Sequence, residues 1–299
     1  MTRARNFATA DPALGSVLSR LLDAGQLAWL TPHLDEMGAL AAGEIDAAAR
    51  TADVNPPVLR QWDPAGDRVD EVVFHPAYRQ LEEIAYGRFG LAAMSHRPGV
   101  LGCPTRVPHV AKYALSYLFV QSEFGLACPV SMTDSAARVL RLFDEERYAE
   151  VIARLTATDR ERLWTGAMFM TERAGGTDLA QTGTTATDCG DHWELSGRKW
   201  FASNVSADVV LTLAVVPGQG EGTRGLGMFY VPRTRPDGSR NGYTIDRLKD
   251  KLGTRSMASG EVTLDGAWAQ PVGELSRASG RWPRWSTSRG CRTPCARPR

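Results

Sequence analysis

MFMTERAGGTD, Met168 to Asp178, divides the sequence into two regions of different character. It reads as an apolar strand ending in a hydroxyl, an acid and the adjacent glycines Gly175 and Gly176. With no Cβ in the way, backbone N–H groups at such glycines approach a planar or phosphorylated ligand closely. A Gly-Gly-Thr segment is also an ordinary turn signal, so these residues alone leave a ligand-binding turn and a plain turn both open.

On its N-terminal side the pattern is helical. Pro76 opens PAYRQLEEIAYGRFGLAAMSH, in which Leu81, Ile84, Ala85 and Phe89 recur at three- and four-residue spacing, and the spacing predicts a helix that ends near His96. A second helix is expected after Pro108, with Ala111, Ala114, Leu115, Leu118 and Phe119 on one side, then others over about Thr133–Phe143 and Arg147–Leu155. DPALGSVLSRLLDAG and DEMGALAAGEIDAAARTADV read as two earlier helices. Near Thr165 the period changes. TATDCGDHWELSGRKWFASN alternates around Cys189-Gly190-Asp191 as a hairpin does, and DVVLTLAVV, GLGMFYVPR and GEVTLDGAW are further strand candidates. Helices followed by strands argue an α+β fold with segregated halves, residues 1–165 helical and 166–274 β.

Composition excludes several classes of protein. The 299 residues, 43% hydrophobic and 23% charged, are enough for a substantial core. The apolar runs are far shorter than the roughly 20 residues of a membrane helix. MTRARNFATADPALG lacks the apolar stretch of a secretory signal, so a cytoplasmic address is expected. The five cysteines form no CxxC pair, and no metal site is expected. The net charge of +1 hides an asymmetry: from Ser276 onward there are seven arginines and no acid, which leaves 28 basic and 34 acidic residues, a net of −6, in the first 275.

Two motifs resemble one family. Met170-Thr171-Glu172-Arg173-Ala174-Gly175-Gly176-Thr177-Asp178 resembles the acyl-CoA dehydrogenase flavoprotein signature M-[ST]-E-x-x-[GA]-G-[ST]-D, and Lys199-Trp200-Phe201-Ala202-Ser203 resembles its K-W-[FIY]-x-[ST] element. Phe169 stands where the family usually has a small residue. ADVNPPVLRQWDPAGDRVDEVVFHPAYRQL, FGLACPVSMTDSAARVL and above all RLKDKLGTRSMAS, Arg247 to Ser259, are similar to the AidB-type branch, which is tied to the adaptive response to DNA alkylation. The resemblance spans about Val54 to Glu274. It implies an N-terminal helical domain, a β-barrel-like middle domain and a C-terminal helical bundle.

It also implies FAD. The backbone of Met168, Phe169 and Met170 and the side chain of Thr171 are expected at the polar edge of the flavin, and Gly176 and Thr177 near its ribityl-pyrophosphate arm. Trp200 is expected on the ring, with Phe201, Ala202 and Ser203 completing the wall; donors and an aromatic wall suit a ring that gains negative charge on reduction. Glu172 is expected in a cap or salt bridge, not as a base. No catalytic residue is assigned, because the family's base belongs to the C-terminal bundle and no residue here matches it. The expected function is α,β-dehydrogenation of acyl-CoA-like thioesters in a homo-oligomeric, tetrameric whole protein, with this chain inactive and holding FAD weakly. The alternatives are a flavoprotein that binds and shields duplex DNA, and an inactive fragment.

The last residues, GRWPRWSTSRGCRTPCARPR, allow three readings. Arginines and tryptophans suit phosphates and bases, and a segment with almost no aliphatic residues suits disorder. The third is a change of reading frame between Glu274 and Gly280. Tryptophan has the single codon TGG, and shifting the frame by one base across Trp282-Pro283 and Trp285 permits Met-Ala-Glu-Met-Val-Asn-Val-Ser, which resembles the start of the branch's first C-terminal helix. Residues 275–299 are thus expected to be an aberrant, disordered basic tail on a chain that lacks the C-terminal bundle.

Overall fold

The computed structural model describes residues 6–275. The reading of the basic tail therefore lies outside the described residues, apart from Leu275.

Among the described residues, eight α-helices and two strands fill the N-terminal part. Asn6 caps α1 (Phe7–Ala10), and Asp11 caps α2 (Pro12–Leu21), whose first residue is a proline with no N–H to satisfy. A capping box between Asp23 and Gln26 starts α3 (Ala24–Leu40), which passes through a π-helical turn at Ala41–Ile45 into α4 (Asp46–Val54). The segment read as helical throughout then holds a hairpin, β1 (Val58–Trp62) and β2 (Arg68–Val73), paired antiparallel. The hairpin docks on the barrel. Gln61 Nε2 donates to the Ile245 carbonyl at 3.0 Å, and fully buried Asp70 accepts from the Ile245 N–H at 3.0 Å and from Arg68 and Arg240.

The helix expected over 76–96 is shorter. It comprises α5 (Pro76–Glu82) and a π-helical turn, Glu83–Arg88. Gly90 ends it with φ of +57°, and a Cβ there would meet Val100 Cγ1 at 2.8 Å. There follow α6 (His109–Val120), α7 (Ala127–Asp144) and α8 (Ala149–Leu155). α7 starts six residues before its expected position, since Pro129 falls in its first turn, where the missing N–H costs nothing. Leu30, Met37, Ile45, Leu81, Phe89, Leu115 and Phe119 form the helical core.

The second part is a closed sheet built from β3 (Gly166–Thr171), β4 (Thr185–Asp188), β5 (Trp193–Ser203), β6 (Val209–Val215), β7 (Leu226–Pro232), β8 (Tyr243–Leu248) and β9 (Ser259–Pro271). β3 pairs with β5 and β6, β6 with β7, β7 with β9, and β9 with β5, which completes a circuit. Closure removes open edges, and β8 adds to β9. β6 is apolar on both faces because both are covered: Val210 and Ala214 point into the barrel core, while Val209, Leu211 and Leu213 cluster with Leu140 of α7, Tyr148 just before α8 and Ile152 of α8.

α7 and β3 form the joint between the two parts. The Gly166 N–H donates to Thr133 Oγ1 at 2.9 Å, and a Cβ on Gly166 would lie 3.0 Å from both the Ala136 Cβ and the Thr133 Cα. Among the described residues no helix is long and apolar enough to cross a membrane.

Candidate functional site

Beneath the MFMTERAGGTD strand lies a buried ion pair. Lys199, on β5 with no exposed side-chain surface, places Nζ 2.7 Å from Glu172 Oε1 and 3.0 Å from the Leu213 carbonyl. The same carboxylate accepts from the Gly183 N–H at 2.7 Å, the Thr184 N–H at 3.2 Å and the Thr184 hydroxyl at 2.6 Å. Burial alone would raise the Glu172 carboxyl, but the Lys199 charge and these hydrogen bonds outweigh it and hold it below its ordinary value. Burial in turn lowers the Lys199 ammonium, against the pull of Glu172. Glu172 is thus a salt-bridge residue, as its sequence context suggests.

Two irregularities in strand pairing shape the surface above the pair. Between Lys199↔Val262 and Ala202↔Gly260, β5 spends one residue more than β9. Such a bulge turns consecutive side chains the same way. Lys199 and Ala202 are buried, whereas Trp200 is half-buried and Phe201 is 41% exposed. Between Met168↔Ser203 and Thr171↔Phe201, β3 spends one residue more than β5, which sets Thr171 opposite Phe201 and Met168 opposite Ser203. The outcome is an open ledge of Thr171, Phe201 and Ser203. Among the described residues the Thr171 and Ser203 hydroxyls have no hydrogen-bond partner, while those of Thr133, Thr184 and Thr212 are all bonded.

The glycine pair divides in role. A Cβ on Gly175 would stand 2.9 Å from both the Asp178 carbonyl oxygen and Gln181 Cβ, so the turn itself requires glycine there. A Cβ on Gly176 would meet only Thr171 Cγ2, at an ordinary 3.5 Å. The packing of the chain does not account for Gly176, whose backbone lies exposed beside Thr171 and Thr177.

The other expected site residues lie deeper. Phe169 packs in the barrel core edge-on to Tyr243, with centroids 6.4 Å apart, Ala202 is wholly buried, and Met170 joins Met168 in the cluster facing α7 and α8. Of Phe169, Met170 and Ala202 only the backbone can face a ligand. Trp200 has cations over its ring: Lys249 Nζ lies 3.4 Å and the Arg173 guanidinium carbon 4.7 Å from the centroid. Its neighbour Glu261 accepts from Lys249 at 2.7 Å and from Arg247 Nε at 2.8 Å. Trp200 and Glu261, with Arg173, Arg198 and Asp246, line a charged recess of about 350 Å³. The cations were missed by sequence reasoning, although the basic residues of RLKDK were a visible signal.

A second cavity, about 400 Å³, opens between α6 and α7 and is mostly apolar, with Leu91, Tyr113, Val120, Ala127 and Val130 in its walls. Buried Lys112 and Asp134 meet at its edge, Nζ to Oδ2 2.8 Å. His96 Nε2 is 2.8 Å from the other Asp134 oxygen, and Arg141 donates to His96 Nδ1 at 2.8 Å, so Nε2 carries the proton given to Asp134. Burial opposes ionisation of Asp134, but His96 and Lys112 hold its carboxyl below the ordinary value. Asp134 follows Thr133, the residue that grips β3, so cavity and ledge share one joint.

Lys199→Met leaves Glu172 buried without a counter-charge and is expected to cost about 3–5 kcal/mol of stability by denaturant unfolding. The double variant Glu172→Gln/Lys199→Met should recover most of that loss. Because the folded-state value of Glu172 is depressed, its contribution is present above the ordinary carboxylate pKa and disappears as pH falls through the lower, folded value. The wild-type chain should lose this component in acid, and the double variant should not.

Comparison with known proteins identifies both parts. Residues 1–162 match the adaptive response protein AidB N-terminal domain, and residues 167–267 match the acyl-CoA dehydrogenase middle domain. Acyl-CoA dehydrogenase family member 11 of Caenorhabditis elegans is 34% identical over 278 residues, 89% of this chain and 44% of the relative. AidB of Escherichia coli K12 is 36% identical over 256 residues, 80% of this chain and again 44% of the relative. The crystal structure of C. elegans ACDH-11 in complex with C11-CoA superposes with a TM-score of 0.84 at 30% identity, covering 95% of this chain and 49% of that one. The chain thus spans less than half the length of the curated relatives it matches. It belongs to the AidB-type branch of the acyl-CoA dehydrogenase family and carries that family's N-terminal and middle domains.

Proposed function

We propose that the ledge of Thr171, Phe201 and Ser203 is the flavin-facing wall of an FAD site in an acyl-CoA dehydrogenase-like oxidoreductase. The observation that carries the reading is the pair of unpartnered hydroxyls on either side of an exposed aromatic ring, beside a glycine that packing does not require. When bound, FAD supplies the two-electron acceptor for α,β-dehydrogenation of an acyl thioester. The chain's own part is to bind and orient. Thr171 and Ser203 donate hydrogen bonds to the polar edge of the cofactor, and Phe201 covers its ring and excludes water. Gly176 and Thr177 offer backbone N–H groups to the ribityl-pyrophosphate arm. Trp200, engaged by Lys249 and Arg173, flanks this wall and holds positive charge near the phosphates.

The acyl chain of the thioester is assigned to the apolar cavity between α6 and α7. Its volume of about 400 Å³ lies within the range of small-molecule sites, and α7 joins it to β3. The complex of ACDH-11 with C11-CoA supports an acyl-CoA substrate. Membership of the AidB branch supports a role for the whole protein in the response to alkylation damage, which we propose it fills as a cytoplasmic homo-oligomer. Attraction to duplex DNA is not favoured by the first 275 residues, whose net charge of −6 repels phosphate.

FAD titration of the full chain, followed by flavin fluorescence, tests the ledge. Thr171→Val and Ser203→Ala should each weaken binding about two- to twelvefold, the worth of one hydrogen bond of about 0.5–1.5 kcal/mol, and Gly176→Val should abolish it. Unchanged affinity in all three would exclude the ledge. For the cavity, Val130→Trp should remove the gain in acyl-CoA affinity with chain length, as measured by calorimetry. A retained gain would place the acyl chain elsewhere.

A further inference from the structure

The hairpin between β4 and β5 brings together three side chains that the flavin reading does not use. It turns through Gly190, at φ of +93°, and Asp191. The Cys189 N–H donates to the His192 carbonyl at 3.0 Å, so these two residues oppose each other across the turn. Opposed residues of an antiparallel pair share a face, and Glu194, two residues beyond His192, returns to it. Cys189 Sγ, a His192 ring nitrogen and a Glu194 carboxylate oxygen lie within 4.8 Å of one another.

Two contacts hold the imidazole for a ligand. Asp191 Oδ1 lies 2.6 Å from His192 Nδ1, which fixes the proton on Nδ1 and leaves the Nε2 lone pair facing Glu194 Oε1 at 3.8 Å. The ring also stacks on Trp268, centroids 6.1 Å apart and planes within 14°, and Trp268 is itself paired with Glu194 across the β5–β9 ladder. A carboxylate on the far nitrogen of a histidine is the arrangement by which metal sites orient that ligand.

We propose that this hairpin binds one divalent transition-metal cation of the zinc class through the Cys189 thiolate, His192 Nε2 and the Glu194 carboxylate, with water in the fourth position. The inference stands independently of the FAD assignment. Metal–nitrogen and metal–oxygen bonds of about 2.0–2.2 Å at a tetrahedral ion put the two ligand atoms about 3.3–3.6 Å apart, so the observed 3.8 Å needs to close by only a few tenths of an ångström. A set of one sulfur, one imidazole nitrogen and one oxygen selects zinc, cobalt or nickel over the harder calcium and magnesium. Asp188, Asp191 and Glu194 crowd negative charge at the tip, which a cation offsets. The thiol proton passes to solvent on binding, and no electron is transferred. The ligand pattern Cys-x-x-His-x-Glu is not a CxxC pair, and only the hairpin register reveals it.

Cobalt(II) titration of the full chain tests the site. The expected result is one equivalent of bound cobalt with thiolate-to-metal charge-transfer absorption and the intense visible bands of a tetrahedral ion, displaced by zinc. Cys189→Ser should lose the charge-transfer band, and Asp191→Asn should keep it while binding about 10–100-fold more weakly. Far-UV circular dichroism establishes that both variants remain folded. Absence of the band at stoichiometric cobalt would overturn the proposal. So would its persistence in Cys189→Ser, which would put the metal on other thiols such as Cys291 and Cys295.

Discussion

The ion pair between Glu172 and Lys199 is the constraint on which the candidate site depends. Glu172 directly follows Thr171, and Lys199 directly precedes the bulged residues Trp200 and Phe201, so one buried contact pins both strands of the ledge. Its worth is not in net stability. Desolvating two charges offsets most of their attraction, and such a pair matters because losing either partner strands the other in the core. Here the carboxylate also gathers the Gly183 and Thr184 N–H groups, which ties the approach to β4 to the same point. With Lys199 directed inward, the bulge leaves Trp200 and Phe201 turned out.

The closed barrel makes that arrangement rigid, and α7 orients it. β6 and β7 are covered on both faces, by the barrel core on one side and by α7 and α8 on the other, so the sheet cannot shift relative to the helices without opening both layers. At the joint Gly166 admits α7 to within backbone contact, and Thr133 accepts its N–H. The same helix carries Asp134 at the edge of the apolar cavity. A ligand spanning ledge and cavity would therefore meet surfaces fixed by one helix–strand contact.

Much of this was legible in the sequence, for identifiable reasons. The change from helical to alternating period near Thr165 falls just before β3, and Cys189-Gly190-Asp191 announces a hairpin that the structure places there. The hairpin of β1 and β2 was passed over, although Asp63-Pro64-Ala65-Gly66 is a turn signal and Gly66 takes a φ of +91°. Its strands, VLRQW and RVDEVV, are half-exposed, and Arg60, Gln61, Asp70 and Glu71 break the strict alternation that marks a strand. Bulges leave no mark in composition, so alternation alone could not show that Trp200 and Phe201 share a face, nor that Phe169 and Ala202 are core. Contacts such as Lys249 over Trp200, or His96 with Asp134, join residues dozens of positions apart and become visible only in three dimensions.

We propose that a flavin lies on Phe201, held by hydroxyls that the chain itself leaves unused. A crystal structure of the chain with FAD bound tests it most directly. The expected result is the isoalloxazine ring against Phe201, with Thr171 Oγ1 and Ser203 Oγ at hydrogen-bond distance, about 2.7–3.0 Å, from its polar edge, and Gly176 against the ribityl-pyrophosphate arm. A flavin seated in the α6–α7 cavity, or stacked on Trp200 with both hydroxyls still unpartnered, would contradict it.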